Sequence, residues 1–201
     1  MNDKIKKMNR KLYIIRHGQT ELNNAHVLQG RSDYPLNENG TAQAREVRQW
    51  ITDQGIVFSY VYSSPLKRAV RTAELIAPGN PIVIDDRLIE MDYGPYEGMD
   101  LNNPTPEITV FFSDFVNNPA PKGMEPLSKV VQRTGAFLED IKDLPGNILI
   151  STHAIAMKGA LEYLTPDSNG SYWSKYIGNC AVYAANNIDG QIGVPEEVKI
   201  C

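Results

Sequence analysis

The sequence predicts an α/β fold, a three-layer sandwich in which helices cover both faces of a mostly parallel central sheet. Short apolar segments alternate along the chain with helical patterns. The composition, with 42% hydrophobic and 22% charged residues, is that of an ordinary globular protein. The length of 201 residues fits one domain, which we expect over residues 11–201 after a flexible tail over residues 1–10.

Five segments are short, apolar and typical of buried strands. They cover residues 11–16, 60–63, 82–84, 147–152 and 180–185. In sheets of this kind, ligands bind beyond the carboxyl ends of the strands. We therefore expect the functional residues where these segments end.

Helical patterns separate the strands. Asn37 is a candidate N-cap for a helix that runs to about residue 53, with apolar residues on one face. Ser64 followed by Pro65 predicts a second cap, with proline at the first helical position. Apolar spacing predicts a third helix over residues 126–143, and a fourth helix is expected to follow His153 as far as residue 164.

The segment at about 94–126 differs from the rest of the chain in composition, because it is rich in proline and asparagine. It predicts a small lobe inserted over the sheet edge, with one or two short helices around residues 107–117. We expect substrate selectivity in this lobe and in the 165–178 loop. Tyr172, Trp173 and Tyr176 cluster in that loop, and packing on the core is favoured over a role in covering substrate.

Charge and cysteine content narrow the functional classes. A net charge of −4 argues against a nucleic-acid partner. No apolar run approaches the roughly 18 residues of a membrane span. Cys180 and Cys201 do not form a disulfide framework, which favours a reducing cytoplasm. No CxxC motif or histidine-rich tract predicts a metal site.

Charged side chains follow the predicted strands at the points where they end. The chain has three histidines, and two of them, His17 and His153, stand directly after an apolar strand. Glu90 follows the third strand and fits either a general acid or an ion-pair partner of Arg16. Arg68 lies in the first turn of a helix, where the dipole disfavours a cation unless an anion is bound there.

Two arginines, two histidines and one carboxylate form a set that phosphoryl transfer requires. Guanidinium groups hold phosphoryl oxygens in fork geometry. Neutral imidazole is a competent nucleophile near pH 7. A carboxylic acid can protonate the leaving alkoxide, and the remaining catalysis is positioning and charge stabilisation.

The motifs around these residues resemble the histidine phosphatase superfamily, branch 1, also called the phosphoglycerate-mutase-like group. The matching segments are RHGQTELN (16–23), QGRSDYPLNENG (29–40), YSSPLKRAVRTAE (62–74), LIEMDYGPYEG (88–98) and STHA (151–154). They follow the family's order and span the chain from about Lys11 to Ala185. The first and third segments are highly specific as a pair.

The resemblance implies roles residue by residue. Catalytic roles fall on His17, Glu90, Arg16, Arg68 and His153. Among these, His17 corresponds to the phosphorylated nucleophile and Glu90 to the acid that protonates the leaving group and then activates water. Substrate-binding roles fall on Asn23, Gln29 and Gly30. The resemblance implies no metal and no cofactor.

The sequence departs from the family at two places. Ala154 stands where members often have glycine, and its methyl group lies close to the expected phosphate pocket. Within residues 91–126 the only basic residue is Lys122, so a carboxylated sugar acid would find few partners there. This favours a phosphatase over a mutase, and a neutral or aromatic substrate over phosphoglycerate.

We therefore expect a cytoplasmic phosphomonoester hydrolase that forms a phosphohistidine intermediate on a small phosphorylated metabolite. The alternatives are mutase-type phosphoryl transfer, a non-catalytic phospholigand-binding module, and a metal hydrolase built on the same histidines, Glu90 and Asp92. The expected partner is a small-molecule phosphate ester, with no nucleic acid and no membrane. The oligomeric state stays open, with a homodimer as a candidate. An acid-side pH optimum is expected from His17 and Glu90.

Overall fold

The computed structural model describes residues 10–200. Residues 1–9 of the expected tail, together with Cys201, lie outside the described residues. Arg10, expected at the end of that tail, instead begins the first strand. Within residues 10–200, no helix has both the length and the apolar character to cross a membrane.

One seven-stranded sheet forms the centre of the structure. Its strands are β1 (Arg10–Arg16), β2 (Phe58–Ser63), β3 (Ile82–Ile84), β4 (Asn147–Thr152), β5 (Val182–Ile188), β6 (Gln191–Ile192) and β7 (Glu196–Val198). The order is β3-β2-β4-β1-β5-β6, and β7 also pairs with β5. The first four strands are mutually parallel, whereas β5, β6 and β7 join in antiparallel fashion. The predicted mostly parallel core of the sheet is confirmed.

Helices cover both faces of this sheet. They are α1 (Glu21–Asn24), α2 (Glu38–Asp53), α3 (Lys67–Ile76), α4 (Pro106–Ser113), α5 (Leu127–Ile141) and α6 (Ala154–Leu164). Alternate residues of β1 point into two separate cores. Ile15 packs with residues of α2 and α3, and Ile14 packs with residues of α5 and α6. The three-layer sandwich is therefore confirmed.

Two strands differ from the sequence prediction. The segment Ile82–Ile84 was expected to be buried, but β3 is the sheet edge, and Val83 and Ile84 are 49% and 46% exposed. The last predicted strand was expected to begin at Cys180. That residue has a φ of 57°, which is incompatible with extended backbone, so β5 begins at Val182.

The helix starts show one confirmed cap and one correction. The Asn37 side chain accepts the N–H of Gly40, as the sequence predicts for the start of α2. The predicted cap at Ser64 is wrong, because α3 begins at Lys67 with Leu66 in the N-cap position. The Ser64 hydroxyl instead accepts the Leu66 N–H and bonds to a histidine in the site described below.

The 94–126 lobe contains the α-helix α4 and one short 3-10 turn before it. Its apolar residues, among them Ile108, Phe111 and Met124, pack against Val130 of α5 and Ile155 of α6. The lobe is thereby attached to one helical layer. It contributes Phe112 and Phe115 to a cleft at the carboxyl ends of the parallel strands.

The loop after β1 touches the first turn of α2 through two glycines. A Cβ atom added to Gly18 would overlap the carbonyl oxygen of Gly40, and one added to Gly40 would overlap the backbone of Gln19. Neither backbone can move without shifting the segment that follows β1. The contact therefore fixes the height of this loop above the sheet.

We expect Gly40→Ala to lower the free energy of unfolding by about 1–3 kcal/mol, because overpacking against backbone outweighs the better helix propensity of alanine. Urea denaturation measures the change. Gly193→Ala is the matched control, since its Cβ would lie at an ordinary contact distance of 3.5 Å from the Asn186 carbonyl oxygen. Equal free energies for the two variants would contradict this account of the contact.

Candidate active site

The parallel register of β1 and β4 brings the two predicted histidines together. Arg16 pairs with Thr152, so that His17 and His153 leave neighbouring strands at the same level. The backbone N–H of His17 donates to the Thr152 carbonyl at 2.9 Å. The two imidazole rings are both buried, and their centroids lie 5.1 Å apart.

His17 is held as a neutral imidazole with a defined tautomer. Its Nδ1 lies 2.7 Å from the Gly18 carbonyl oxygen, which can only accept, so Nδ1 carries the proton. Nε2 therefore presents its lone pair. Burial holds the pKa of His17 well below its usual range, and the charges of Arg68 and Arg16 lower it further.

Arg68 is fully buried and connects His17 to the 29–32 loop. Its Nε donates to Nε2 of His17 at 3.2 Å. Its two terminal nitrogens donate to the carbonyls of Ser32 and Gly30 at 2.7 and 2.6 Å. The Gly30 N–H in turn donates to the Glu97 carboxylate. The backbone of Gly30 thus holds the loop in place through these hydrogen bonds, while its neighbour Gln29 lines the cleft.

The cleft has a volume of about 270 Å³ and opens beside His17. Of the predicted residues, Arg16, Asn23, Gln29 and Glu90 also line it. Arg68 stands behind His17 through the hydrogen bond to Nε2, and His153 lies beside it. The structure therefore brings all eight predicted site residues into one region.

Three buried polar atoms in this region have no hydrogen-bond partner. They are Nε of Arg16, Nε2 of Gln29 and Nδ1 of His153. Another polar atom of each of these side chains is engaged: Arg16 Nη1 donates to the Ile177 carbonyl, Gln29 accepts from Thr20, and His153 Nε2 lies 2.7 Å from the Ser64 hydroxyl. Buried polar groups rarely go without partners. The site therefore suits a ligand that carries several oxygen acceptors.

Glu90 lies against the N-terminus of α6. One carboxylate oxygen accepts the N–H groups of Met91 and Ala156 at 2.8 and 3.0 Å, and the other accepts the Ile155 N–H at 3.2 Å. The helix dipole favours a carboxylate at this end. The ion pairs found among residues 10–200 include none between Glu90 and Arg16, so the ion-pair alternative for Glu90 is not supported.

An ion pair between partly buried Arg133 and buried Glu125, which the sequence did not reveal, fixes the backbone around Glu90. Arg133 of α5 binds the Glu125 carboxylate at 2.9 Å and donates to the carbonyls of Arg87 and Ile89. Glu125 also accepts the Asp92 N–H. Both flanks of Glu90 are therefore anchored. Because α5 and the lobe are distant from Glu90 in sequence, no local pattern indicates this contact.

Asn179 is a second residue that sequence reasoning missed. Its side-chain nitrogen donates to the His17 carbonyl at 3.1 Å and to the Asn23 side-chain oxygen at 3.2 Å. Asn23 also closes the capping box of α1 with Thr20. These bonds hold the predicted pocket asparagine in place from two sides.

Part of the prediction about the 165–178 loop is confirmed. Tyr172 and Trp173 are buried and pack on the core, but Tyr176 is 87% exposed and lines the cleft. Basic residues outside the 91–126 segment also contribute to the cleft, which the expectation of few cationic partners for a carboxylate did not include. Lys158 of α6 and Lys175 also line the cleft.

The backbone of the second histidine has an ordinary extended conformation. His153 is the N-cap of α6, and Ala154 after it places its methyl group in the wall of the cleft. Within residues 10–200, no group of three or more histidine, cysteine, aspartate or glutamate side chains is arranged to hold a metal ion.

Comparisons of the sequence with protein families and with known proteins all indicate the same family. Residues 12–194 match the model of the histidine phosphatase superfamily, branch 1. A putative phosphoserine phosphatase 2 from Hydrogenobacter thermophilus is 30% identical, over 86% of this chain and 87% of that protein. A probable phosphoglycerate mutase from Serratia proteamaculans is 38% identical, over 73% of this chain and 70% of its own length.

A solved structure shares the whole architecture. A phosphoserine phosphatase variant from Entamoeba histolytica, in complex with phosphoserine, superimposes with a TM-score of 0.77 at 27% identity. The match covers 94% of this chain and 95% of that one. The family model and these relatives agree with the site geometry, and the chain belongs to the histidine phosphatase superfamily, branch 1.

Proposed function

We propose that this chain is a metal-independent phosphomonoester hydrolase that transfers the phosphoryl group of a small metabolite to His17 and then to water. The observation that carries the proposal is the group of unpartnered polar atoms on Arg16, Gln29 and His153 beside Nε2 of His17. A phosphoryl group supplies the oxygen acceptors that this arrangement lacks. The proposed unit is one domain, residues 11–201, with the lobe at 94–126.

Arg16, Arg68 and His153 would bind the phosphoryl oxygens. The Ser64 hydroxyl can donate to Nε2 of His153, which leaves the proton of that ring on the unpartnered Nδ1, from which it can be donated to a phosphoryl oxygen. Arg68 donates to Nε2 of His17 in the free protein, and a phosphoryl oxygen would take over that N–H when substrate binds. The lone pair on Nε2 is then available for attack on phosphorus.

The reaction would proceed in two displacements. Nε2 of His17 attacks phosphorus, the bond from phosphorus to the ester oxygen breaks, and protonated Glu90 gives its proton to the leaving oxygen. Glu90 then takes a proton from water while that water attacks phosphohistidine, the N–P bond breaks, and inorganic phosphate leaves. The anchored backbone around Glu90 supports both roles, since it fixes the carboxylate in place.

Two features favour hydrolysis without a metal. The guanidinium groups of Arg16 and Arg68 surround His17 and would repel a cation, while they stabilise the equatorial oxygens directly. The cleft opens past Tyr176, which is 87% exposed, so water can reach the intermediate. Relatives named as phosphatases support the same class of reaction.

We expect His17→Ala to lower kcat for p-nitrophenyl phosphate about 1,000-fold or more, because the variant lacks the nucleophile. Release of p-nitrophenol in buffer that contains EDTA measures the change. His26→Asn is the matched control, since His26 is exposed and its φ of 53° suits asparagine. Equal activity of wild type and His17→Ala, or loss of wild-type activity in EDTA, would sink the proposal.

Replacement of Glu90 is expected to have an effect that depends on the leaving group. Ethyl phosphate needs a proton on its leaving alkoxide, whereas p-nitrophenolate leaves readily without one. We expect Glu90→Gln to lower kcat about 100-fold or more for ethyl phosphate, and at least tenfold less for p-nitrophenyl phosphate. Glu107→Gln, at an exposed position of α4, serves as control. A uniform loss on both substrates would remove Glu90 from the acid role.

The acid limb of the pH profile of kcat/KM is expected well below pH 6.5. Protonation of Nε2 abolishes the nucleophile, and burial together with Arg68 and Arg16 lowers the pKa of His17. Activity should therefore fall only as the pH drops through that lowered value. In Arg16→Gln, one positive neighbour is removed, and the limb should move to higher pH. An acid limb at or above 6.5 in the wild type would contradict the assignment.

A further inference from the structure

Glu97, a partly buried residue at the start of the lobe, has no role in the reaction proposed above. Both of its carboxylate oxygens accept the Gly30 N–H, at 2.9 and 3.0 Å. One of them also accepts the N–H and the hydroxyl of Ser32, at 3.1 and 2.5 Å. Three donors of the 29–32 loop therefore converge on a single carboxylate of the lobe.

The carbonyls of the same loop orient Arg68. Its Nη2 donates to the Gly30 carbonyl at 2.6 Å and its Nη1 to the Ser32 carbonyl at 2.7 Å, while Nε donates to Nε2 of His17 at 3.2 Å. Because a guanidinium group is planar, two acceptors on its terminal nitrogens fix the direction of the third N–H. The position of the loop therefore determines how Arg68 faces His17.

Glu97 continues a backbone contact that stops before this loop. The Leu28 N–H donates to the Met99 carbonyl at 2.8 Å, and the Gly98 N–H donates to the Leu28 carbonyl at 2.9 Å. Beyond Leu28, the N–H groups of Gly30 and Ser32 bond to the Glu97 side chain instead. The carboxylate is therefore the acceptor that holds the loop where backbone pairing with the lobe ends.

The contact between Glu97 and the loop is too close for a flexible spacer. A Cβ atom added to Gly30 would lie 2.6 Å from the Glu97 carboxylate, 2.6 Å from the Tyr93 ring and 2.7 Å from the Met91 carbonyl oxygen. The loop backbone thus lies directly against the carboxylate and the segment that follows Glu90. A change at Glu97 is transmitted to the backbone that Arg68 binds.

The influence of Glu97 on Arg68 passes through the loop. The ion pairs found within residues 10–200 include none made by Arg68. Burial lowers the pKa of Arg68 to about 10, and the charges of Glu90, Asp33 and Glu97 oppose that shift. Glu97 therefore also favours the charged guanidinium from a distance.

We propose that Glu97 is a positioning residue, which holds the 29–32 loop so that the Gly30 and Ser32 carbonyls direct Arg68 towards the phosphoryl group at His17. The proposal rests on the hydrolase function proposed above and adds a residue to it. Glu97 acts on phosphate binding through Arg68 without touching the substrate. The lobe, expected to set selectivity, would thereby also contribute to the binding of the phosphoryl group that all substrates share.

The variant Glu97→Gln tests this role, because an amide has similar size but only one acceptor oxygen, and its NH₂ group would face the Gly30 N–H. Inorganic phosphate serves as a competitive inhibitor of p-nitrophenyl phosphate hydrolysis. We expect its Ki to rise about tenfold, as for the loss of one hydrogen bond to a charged group. The Ki is independent of the folded fraction, because only folded molecules contribute to the measured rate.

Asp100→Asn is the matched control. It makes the same exchange of carboxylate for amide three residues further on, where the exposed Asp100 side chain accepts the Asn102 N–H within its own turn. Its phosphate Ki should equal that of wild type. A Glu97→Gln variant in which kcat falls while the Ki stays within about twofold of wild type would show a merely structural role and overturn the proposal.

The dependence on Arg68 is measured in a double variant. Arg68→Met keeps a similar length but has no N–H to orient. In this background, Glu97→Gln should change kcat/KM for p-nitrophenyl phosphate less than about twofold, against about tenfold in the wild-type background. Equal factors in the two backgrounds would contradict the proposal. If Arg68→Met does not fold, the phosphate Ki of Glu97→Gln decides the question.

Failure of the hydrolase function would be seen separately. If wild-type protein does not hydrolyse p-nitrophenyl phosphate, the function proposed above fails. The Kd of inorganic phosphate, measured by calorimetry on wild type, Glu97→Gln and Asp100→Asn, then tests the positioning role alone. Weaker binding in Glu97→Gln alone would sustain that role. Equal Kd values, or no phosphate binding by wild type, would overturn it.

Discussion

The register between β1 and β4 is the constraint on which the site depends. Parallel pairing aligns Arg16 with Thr152, and the next residue of each strand is a histidine. A slip of one residue would reverse which faces the side chains occupy and would separate the two rings. Arg68 provides a second connection, because it hydrogen-bonds both to His17 after β1 and to carbonyls of the 29–32 loop. The positions of the two histidines therefore follow from strand pairing, and Arg68 fixes the adjoining loop against them.

Burial and the neighbouring charges keep the two histidines of this pocket in the neutral form. Burial and neighbouring guanidinium groups hold the pKa of both His17 and His153 well below the usual range. Glu90, in contrast, is surrounded by backbone N–H groups at the start of α6. A neutral imidazole and a carboxyl group that accepts backbone N–H groups thus line the same cleft, and the first is the proposed nucleophile and the second the proposed acid–base group.

Local signals allowed much of the fold to be predicted. The bounds of β4 and the end of α6 agree with the sequence prediction, and Asn37 caps α2, because apolar runs and caps act over a few residues. The direction of β5 could not be predicted, since strand pairing is a long-range choice. The exposure of β3 has the same origin, because an apolar strand at a sheet edge has the same local pattern as a central one.

The site residues also divide into those that local sequence patterns reveal and those that only tertiary packing reveals. The histidines, arginines and Glu90 follow strands or begin helices, so that topology alone brings them together. The contacts of Asn179, Arg133 and Lys158 with the site depend on tertiary packing. Lys158 illustrates the difficulty, because a lysine within a helix is ordinarily solvated, and only the packing of Phe115 and Trp173 shows that this one is buried.

The Arg133–Glu125 pair makes one end of the lobe part of the support for Glu90. Glu125 lies at the end of the 94–126 segment, yet its carboxylate supports the backbone that carries Glu90. The structural constraint on the lobe is therefore unequal along its length. Positions around α4 can vary to accept new substrates, whereas the exit of the lobe is tied to the chemistry. A lobe grafted from a relative would transfer its specificity only if its exit preserved an acidic residue opposite Arg133.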